Sequence, residues 1–114
     1  MSIDVLLDRD YDRQAYNCLH FAGDCWMHLT GDDRLSRVHE SQLAGQGLVG
    51  MFRGMTKSKE ATVQPSIALM ETLEGRLHIG VCWRRRLLHI NEAGCQFLAV
   101  EALEALYKNM RFYS

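Results

Sequence analysis

Proline is nearly missing from this chain: Pro65 is the single one in 114 residues. Without Pro-rich or low-complexity stretches no linker is visible, and the length suits one domain spanning 1–114. An excess of either charge is also missing. Thirteen Lys and Arg face fourteen Asp and Glu, a net charge of −1. That balance argues against a nucleic-acid binder that works by neutralising phosphates. Apolar runs fall far short of the ~20 residues that cross a bilayer, so no membrane partner is expected. The N-terminus, MSIDVLLDRDYDR, lacks a basic segment followed by an apolar one, so no secretory signal is visible and cytoplasmic synthesis is expected. No segment fits a Walker or dinucleotide phosphate loop. Cysteines are few: Cys18, Cys25, Cys82 and Cys95, none in C-x-x-C spacing. In a cytoplasmic setting that argues against a disulfide framework and against zinc, so neither metal nor cofactor is expected.

What is present is an ordinary globular composition, 47% hydrophobic and 24% charged, which excludes a disordered chain. Residues 1–16 read as an irregular lead-in. Over 18–30, Leu19, Ala22, Trp26 and Leu29 recur at helical spacing. Asn17 suits the N-cap and Gly31 suits the stop, so the helix is predicted to begin at Cys18. A second helix is predicted from about 32 through Leu35, Val38, Gln42 and Leu43, followed by a glycine-rich connection at 45–54. From Val63 the pattern turns to strands: 67–73, then 76–83 with Leu77, Ile79, Val81 and Trp83 on one face and His78, Gly80 and Cys82 on the other, then 86–91. The stretch after Gly94 reads as a C-terminal helix with Phe97, Leu98, Leu103, Leu106, Tyr107 and Met110 facing the core. The expected class is α+β.

Two features carry chemistry. Cys18, in the first turn of a helix, would sit beside unsatisfied N–H groups and the positive end of the helix dipole. Both favour a thiolate, and the same N–H groups could act as an oxyanion hole. The position alone favours a capped, half-buried thiol over a nucleophile. The second feature is the hairpin. If Arg84-Arg85 forms a two-residue turn, Trp83 pairs with Arg86, Cys82 with Leu87, Val81 with Leu88 and Gly80 with His89. His78 and His89 then become diagonal neighbours on one face, roughly 7–8 Å apart at Cα, with Gly80 leaving room between them. His78 could serve as a general base and His89 could orient it. A one-residue slip in the turn would send His89 to the other face. His20, His28 and His39 read as surface or packing residues, Cys25, Cys82 and Cys95 as small buried hydrophobes, and Arg84-Arg85-Arg86 as a solvated tip.

These residues resemble the NlpC/P60 family of papain-like cysteine peptidases. Asn17-Cys18-Leu19-His20-Phe21-Ala22 is similar to the family's Asp-Cys-Ser-Gly-Phe-Val-like helix start. Gln64-Pro65-Ser66-Ile67-Ala68-Leu69 resembles its Pro-Gly-Asp-Leu-Val-like strand, His78-Ile79-Gly80-Val81-Cys82 its His-Val-Gly-Ile-Tyr strand, and Leu87-Leu88-His89 its second histidine. The resemblance runs in order along nearly the whole chain. Departures are Asn17 in place of Asp, and Leu19-His20 in place of Ser-Gly. The resemblance implies a papain-like core in which a Cys-bearing N-terminal helix packs on a small antiparallel sheet. It implies a Cys18/His78/His89 triad that hydrolyses an amide bond in peptidoglycan stem peptides, commonly after γ-D-glutamate. The family often places an upstream tyrosine near the oxyanion; Tyr11 and Tyr16 are both candidates, with Asn17 and Gly80 as further oxyanion or substrate neighbours. Compact members without a signal look like those of phage and prophage tail modules, which implies tail proteins as partners.

Asn17-Cys18-Leu19-His20-Phe21 is also similar to the Asn-Cys-Glu-His-Phe motif of lecithin:retinol acyltransferase-like relatives. There the histidines precede the cysteine; here they follow it, which favours the peptidase branch. Two alternatives remain: a non-catalytic tail-assembly protein on the same scaffold, and a thiol acyltransferase.

Overall fold

The computed structural model describes residues 2–38 and 51–114. Helix α1 spans Cys18–Thr30, with the boundaries its sequence dictates. Asn17 is the N-cap: its side-chain oxygen accepts from Leu19 N–H at 3.0 Å. His20 completes a reciprocal cap, its Nδ1 accepting from the Asn17 backbone N–H at 3.1 Å. This is a capping box with histidine in the place usually held by Glu or Gln. Gly31 ends the helix in the left-handed region (φ 77°), where a side chain would be strained.

Among the described residues six strands form one antiparallel sheet: β1 (Lys57–Ser58), β2 (Ser66–Thr72), β3 (Leu77–Trp83), β4 (Arg86–Asn91), β5 (Gly94–Ala99) and β6 (Tyr107–Tyr113), in the spatial order β1-β6-β2-β3-β4-β5. A four-residue helix α2 (Val100–Leu103) lies between β5 and β6. Alternation along the strands divides the core between two faces. Ile67, Leu69, Ile79, Val81, Leu88 and Ile90 pack with Leu19, Phe21, Ala22, Cys25 and Trp26 of α1. Ala68, Met70, Cys82, Leu87 and Phe112 pack with Val100 and Leu103 of α2. The sheet is thus covered on both faces, which is why β2, β3 and β4 read as nearly continuous apolar runs.

The β3–β4 hairpin has the expected register: Trp83 opposite Arg86, Cys82 opposite Leu87, Val81 opposite Leu88. Arg84 (φ 55°) and Arg85 (φ 62°) carry the two positive φ angles of a type I′ turn. For residues with a Cβ this costs about 1–2 kcal/mol each, so the sequence at this turn is not chosen for local stability.

Three expectations are corrected. The C-terminal helix is absent: residues 94–113 form β5, the single-turn α2 and β6. The loop Glu92-Ala93 folds β5 back on β4, pairing Asn91 with Gly94, and the ladder overrides helical propensity. The helical period has a specific source. Between Leu69↔Arg111 and Glu71↔Lys108 the β6 register shifts, with Asn109 at φ 55°. One extra residue there puts Tyr107, Met110 and Phe112 on the same face, so a bulged strand imitates an i, i+3 spacing. Second, in place of a helix beginning near 32 the described residues hold a 3-10 turn at Leu35–Arg37. The rest of that expected helix, His39 included, and the connection up to residue 50 lie outside the described residues. Third, the space above Gly80 is already taken. A Cβ there would lie 2.7 Å from the Leu88 carbonyl oxygen and 3.2 Å from His89 Cβ. Glycine at 80 serves a close crossing of β3 over β4, not a vacancy for substrate.

Candidate active site

The candidate residues Cys18 and His78 border one cleft, where the ribbon comes apart. Pairing between β3 and β4 ends at Val81–Leu88. Beyond it β3 stays bonded to β2 as far as Leu77, and β4 to β5 as far as Asn91. His78 lies on β3 and His89 on β4, on the face shared with Cys82 and Leu87. Cys18 arrives from the opposite side, on the helix that covers the first face. A cleft of about 400 Å³ joins the two at this open end, lined by Tyr11, Cys18, His78, Ile90, Asn91, Glu92 and Ala93. That volume suits a small ligand or part of a peptide.

The two imidazoles are in contact. His78 Nε2 lies 3.0 Å from His89 Nδ1, with the rings nearly perpendicular (85°). Both are buried, at 8% and 1% exposure. Burial pushes His78 down to about 4, with His89 adding to the effect, so its ring is neutral at pH 7. Burial also lowers His89, against a raising influence from Gln96. Gln96 is the cross-strand partner of His89 on β5. The outer nitrogen of His89, Nε2, is buried with no partner in hydrogen-bond range among the described residues.

Either ring can donate in this contact, and one of the two proton placements suits a base. With His78 Nε2 donating to His89 Nδ1, the remaining nitrogen of His78, Nδ1, is an acceptor. His89 then carries its proton on Nε2. A neutral imidazole with a free-pair nitrogen and its opposite edge held by a neighbour is the form a general base requires.

Tyr107 closes the site from β6. Its ring lies nearly parallel to His78 (4.9 Å between centroids, 7°) and edge-on to His89 (5.9 Å, 89°). The neighbouring Asn91 side chain acts to lower the pKa of its hydroxyl. Burial, and further the charge of Cys18, raise its pKa, which places its hydroxyl within electrostatic reach of the sulfur's site. Tyr107, Gln96 and Asn91 were not singled out from the sequence. The first two lie in the segment that reads as helix; a two-residue loop after Asn91 was the cue that could have found them.

Of the remaining candidates, Tyr11 lines the cleft and Tyr16 does not. Tyr16 donates to Asp24, which also pairs with Arg9 at 3.3 Å, and it borders a separate hollow with Leu19, His20 and Leu35. Asn17 is 5% exposed and occupied as the cap. Its hold on Leu19 N–H means one of the helix-start donors expected for an oxyanion already has a partner. Gly80 supports the His78–His89 approach from below. Cys25 and Cys82 are fully buried, and burial raises the Cys25 thiol well above its ordinary value. Cys95 is half-buried, donates to Arg9 O at 3.2 Å and is also shifted upward by burial. Among the described residues no group of three His, Cys, Asp or Glu is placed to hold a metal, and no helix is long and apolar enough to cross a membrane.

Compared with protein-family models, curated proteins and solved structures, the chain gives no match.

Proposed function

We propose that this protein is a thiol hydrolase of the NlpC/P60 type, on a papain-like core, that cleaves an amide bond in peptidoglycan stem peptides. The observation that carries the reading is the 3.0 Å His78–His89 contact in a cleft shared with Cys18. Cys18 Sγ attacks the amide carbonyl carbon, and its proton passes to His78 Nδ1. His89 holds the opposite edge of the ring while it is charged. The imidazolium then protonates the departing amine nitrogen as the C–N bond breaks, leaving a thioester on Cys18. Water attacks the thioester, again giving its proton to His78, which returns it to the sulfur as the acid leaves.

Burial bears on the mechanism. A ring held near pKa 4 is a weak base by itself, so the transfer relies on the thiolate forming beside it to offset the cost of the new charge. The γ-D-glutamyl bond is the proposed target, and a virion or phage-tail setting is the proposed context, both from the family resemblance.

Digestion of purified peptidoglycan, read as newly exposed amino groups, tests the proposal. The native protein should release amines and Cys18→Ala should not. Equal release by both, or none from the native protein on any wall type, overturns it. Product analysis with added amine acceptors separates hydrolysis from acyl transfer.

A further inference from the structure

The far end of the same ribbon has a different chemistry. Arg84, Arg85 and Arg86 are all exposed, and among the described residues none forms an ion pair. Two of them are held in place. The Arg84 guanidinium lies 4.2 Å over the Trp83 ring, and the Arg86 guanidinium 5.6 Å over Phe97. Trp83 and Phe97 themselves stack at 6.1 Å. The result is a ladder of four side chains, Arg84–Trp83–Phe97–Arg86, across β3, β4 and β5. A guanidinium stacked on a ring keeps its in-plane N–H donors directed outward, pre-organised for a bidentate oxyanion.

The backbone beneath is pinned on both sides. Arg84 N–H donates to Val63 O and Arg85 N–H to Thr62 O, each at 2.8 Å, and Arg85 O accepts from Val100 N–H at 3.1 Å. An ordinary solvated tip needs no such anchoring, nor two arginines in left-handed conformation where Asn-Gly would be relaxed. Strain retained against a cheaper alternative is a mark of function.

We infer that the Arg84–Arg85–Arg86 tip is a docking surface for a phosphodiester polymer that carries no aromatic bases. Three exposed guanidiniums with no ion-pair partner among the described residues offer successive donors to repeated oxyanions. The aromatic faces that could stack on nucleobases are taken up by the arginines and by each other, which disfavours single-stranded nucleic acid. The fork geometry of arginine suits phosphate oxygens, and a flexible chain of phosphodiesters can present successive charges to successive arginines. The inference does not depend on the hydrolase reading, because the tip lies at the opposite end of β3 from His78 and its test is binding.

The experiment uses the full chain and end-labelled poly(glycerol phosphate), followed by fluorescence anisotropy at several salt concentrations. The native protein should bind. The Arg84→Gln/Arg86→Gln variant should lose at least about tenfold in affinity and flatten the salt dependence by about two counterions. Arg76→Gln, which removes an exposed charge in the turn at the other end of β3, should bind like the native chain. Trp83→Leu, which keeps all three arginines but removes the ladder, should weaken binding severalfold; circular dichroism confirms that each variant is folded. No binding at low salt overturns the inference. So do equal losses in Arg76→Gln and the double variant, or tighter binding of single-stranded DNA or polyglutamate of matched charge.

Discussion

The two ends of the β3–β4 ribbon are built from the same hairpin and solve opposite problems. At one end basic side chains are buried, bonded to each other and kept neutral. His78 is held down to about 4 by desolvation, with the second imidazole 3.0 Å away. At the other end basic side chains are exposed and permanently charged, laid on aromatic rings that fix their direction without neutralising them. Histidine at the tip would lose its charge at neutral pH, and arginine at the open end could never accept a proton. Burial decides which cation can become a base and which can only remain a cation. Gly80 lies between the two regimes: it lets β3 cross close to Leu88 and His89, where regular pairing stops and the cleft begins.

The contrast can be broken at each end. The largest effect is expected from His78→Ala, which should lower amide hydrolysis by about a thousandfold or more with the fold retained, checked by peptidoglycan digestion beside circular dichroism. Next is the response to acid. A buried histidine whose folded pKa is below the ordinary 6.5 binds its proton only in the unfolded chain over that window. Its contribution to stability is therefore complete above about pH 6.5 and is lost as pH falls toward 4. The loss should approach about 3 kcal/mol in urea unfolding and shrink markedly in His78→Gln. Gly80→Ala should cost about 2 kcal/mol, because the new methyl meets backbone at 2.7 Å, and should also slow hydrolysis by disturbing His89. The smallest effect is at the tip. Arg84→Asn/Arg85→Gly should raise stability by about 1 kcal/mol by relaxing the left-handed turn, measured by chemical denaturation, while weakening polymer binding.

Legibility in the sequence followed the same division. Helix α1 was readable to the residue because Asn17, the apolar period and Gly31 agree at short range. The hairpin register was readable because alternation on both strands leaves a two-residue turn as the consistent solution. That register is what sets His78 beside His89. The segment from Gly94 onward was not readable. Its strands depend on pairing with β4 and β2, which are remote in sequence, and the irregularity at Asn109 disguises β6 as a helix. Gln96 and Tyr107 were lost with it, so the sequence disclosed the triad candidates but not the ring and the amide beside them. The separation of Tyr11 from Tyr16 likewise needed the Asp24 contact, which no spacing announces. Gly80 reads in sequence as a vacancy, whereas the close approach of Leu88 and His89 makes it a crossing point.

The central claim is that Cys18 and His78 act together across the cleft. Brief iodoacetamide labelling of the native protein at pH 7, read by mass spectrometry at each cysteine, tests it most directly. Cys18 should carry most of the label, with Cys25 and Cys82 protected by burial and Cys95 slow, and His78→Ala should reduce the Cys18 rate about tenfold. Labelling of Cys18 no faster than that of Cys95, or a rate indifferent to His78, would contradict the account.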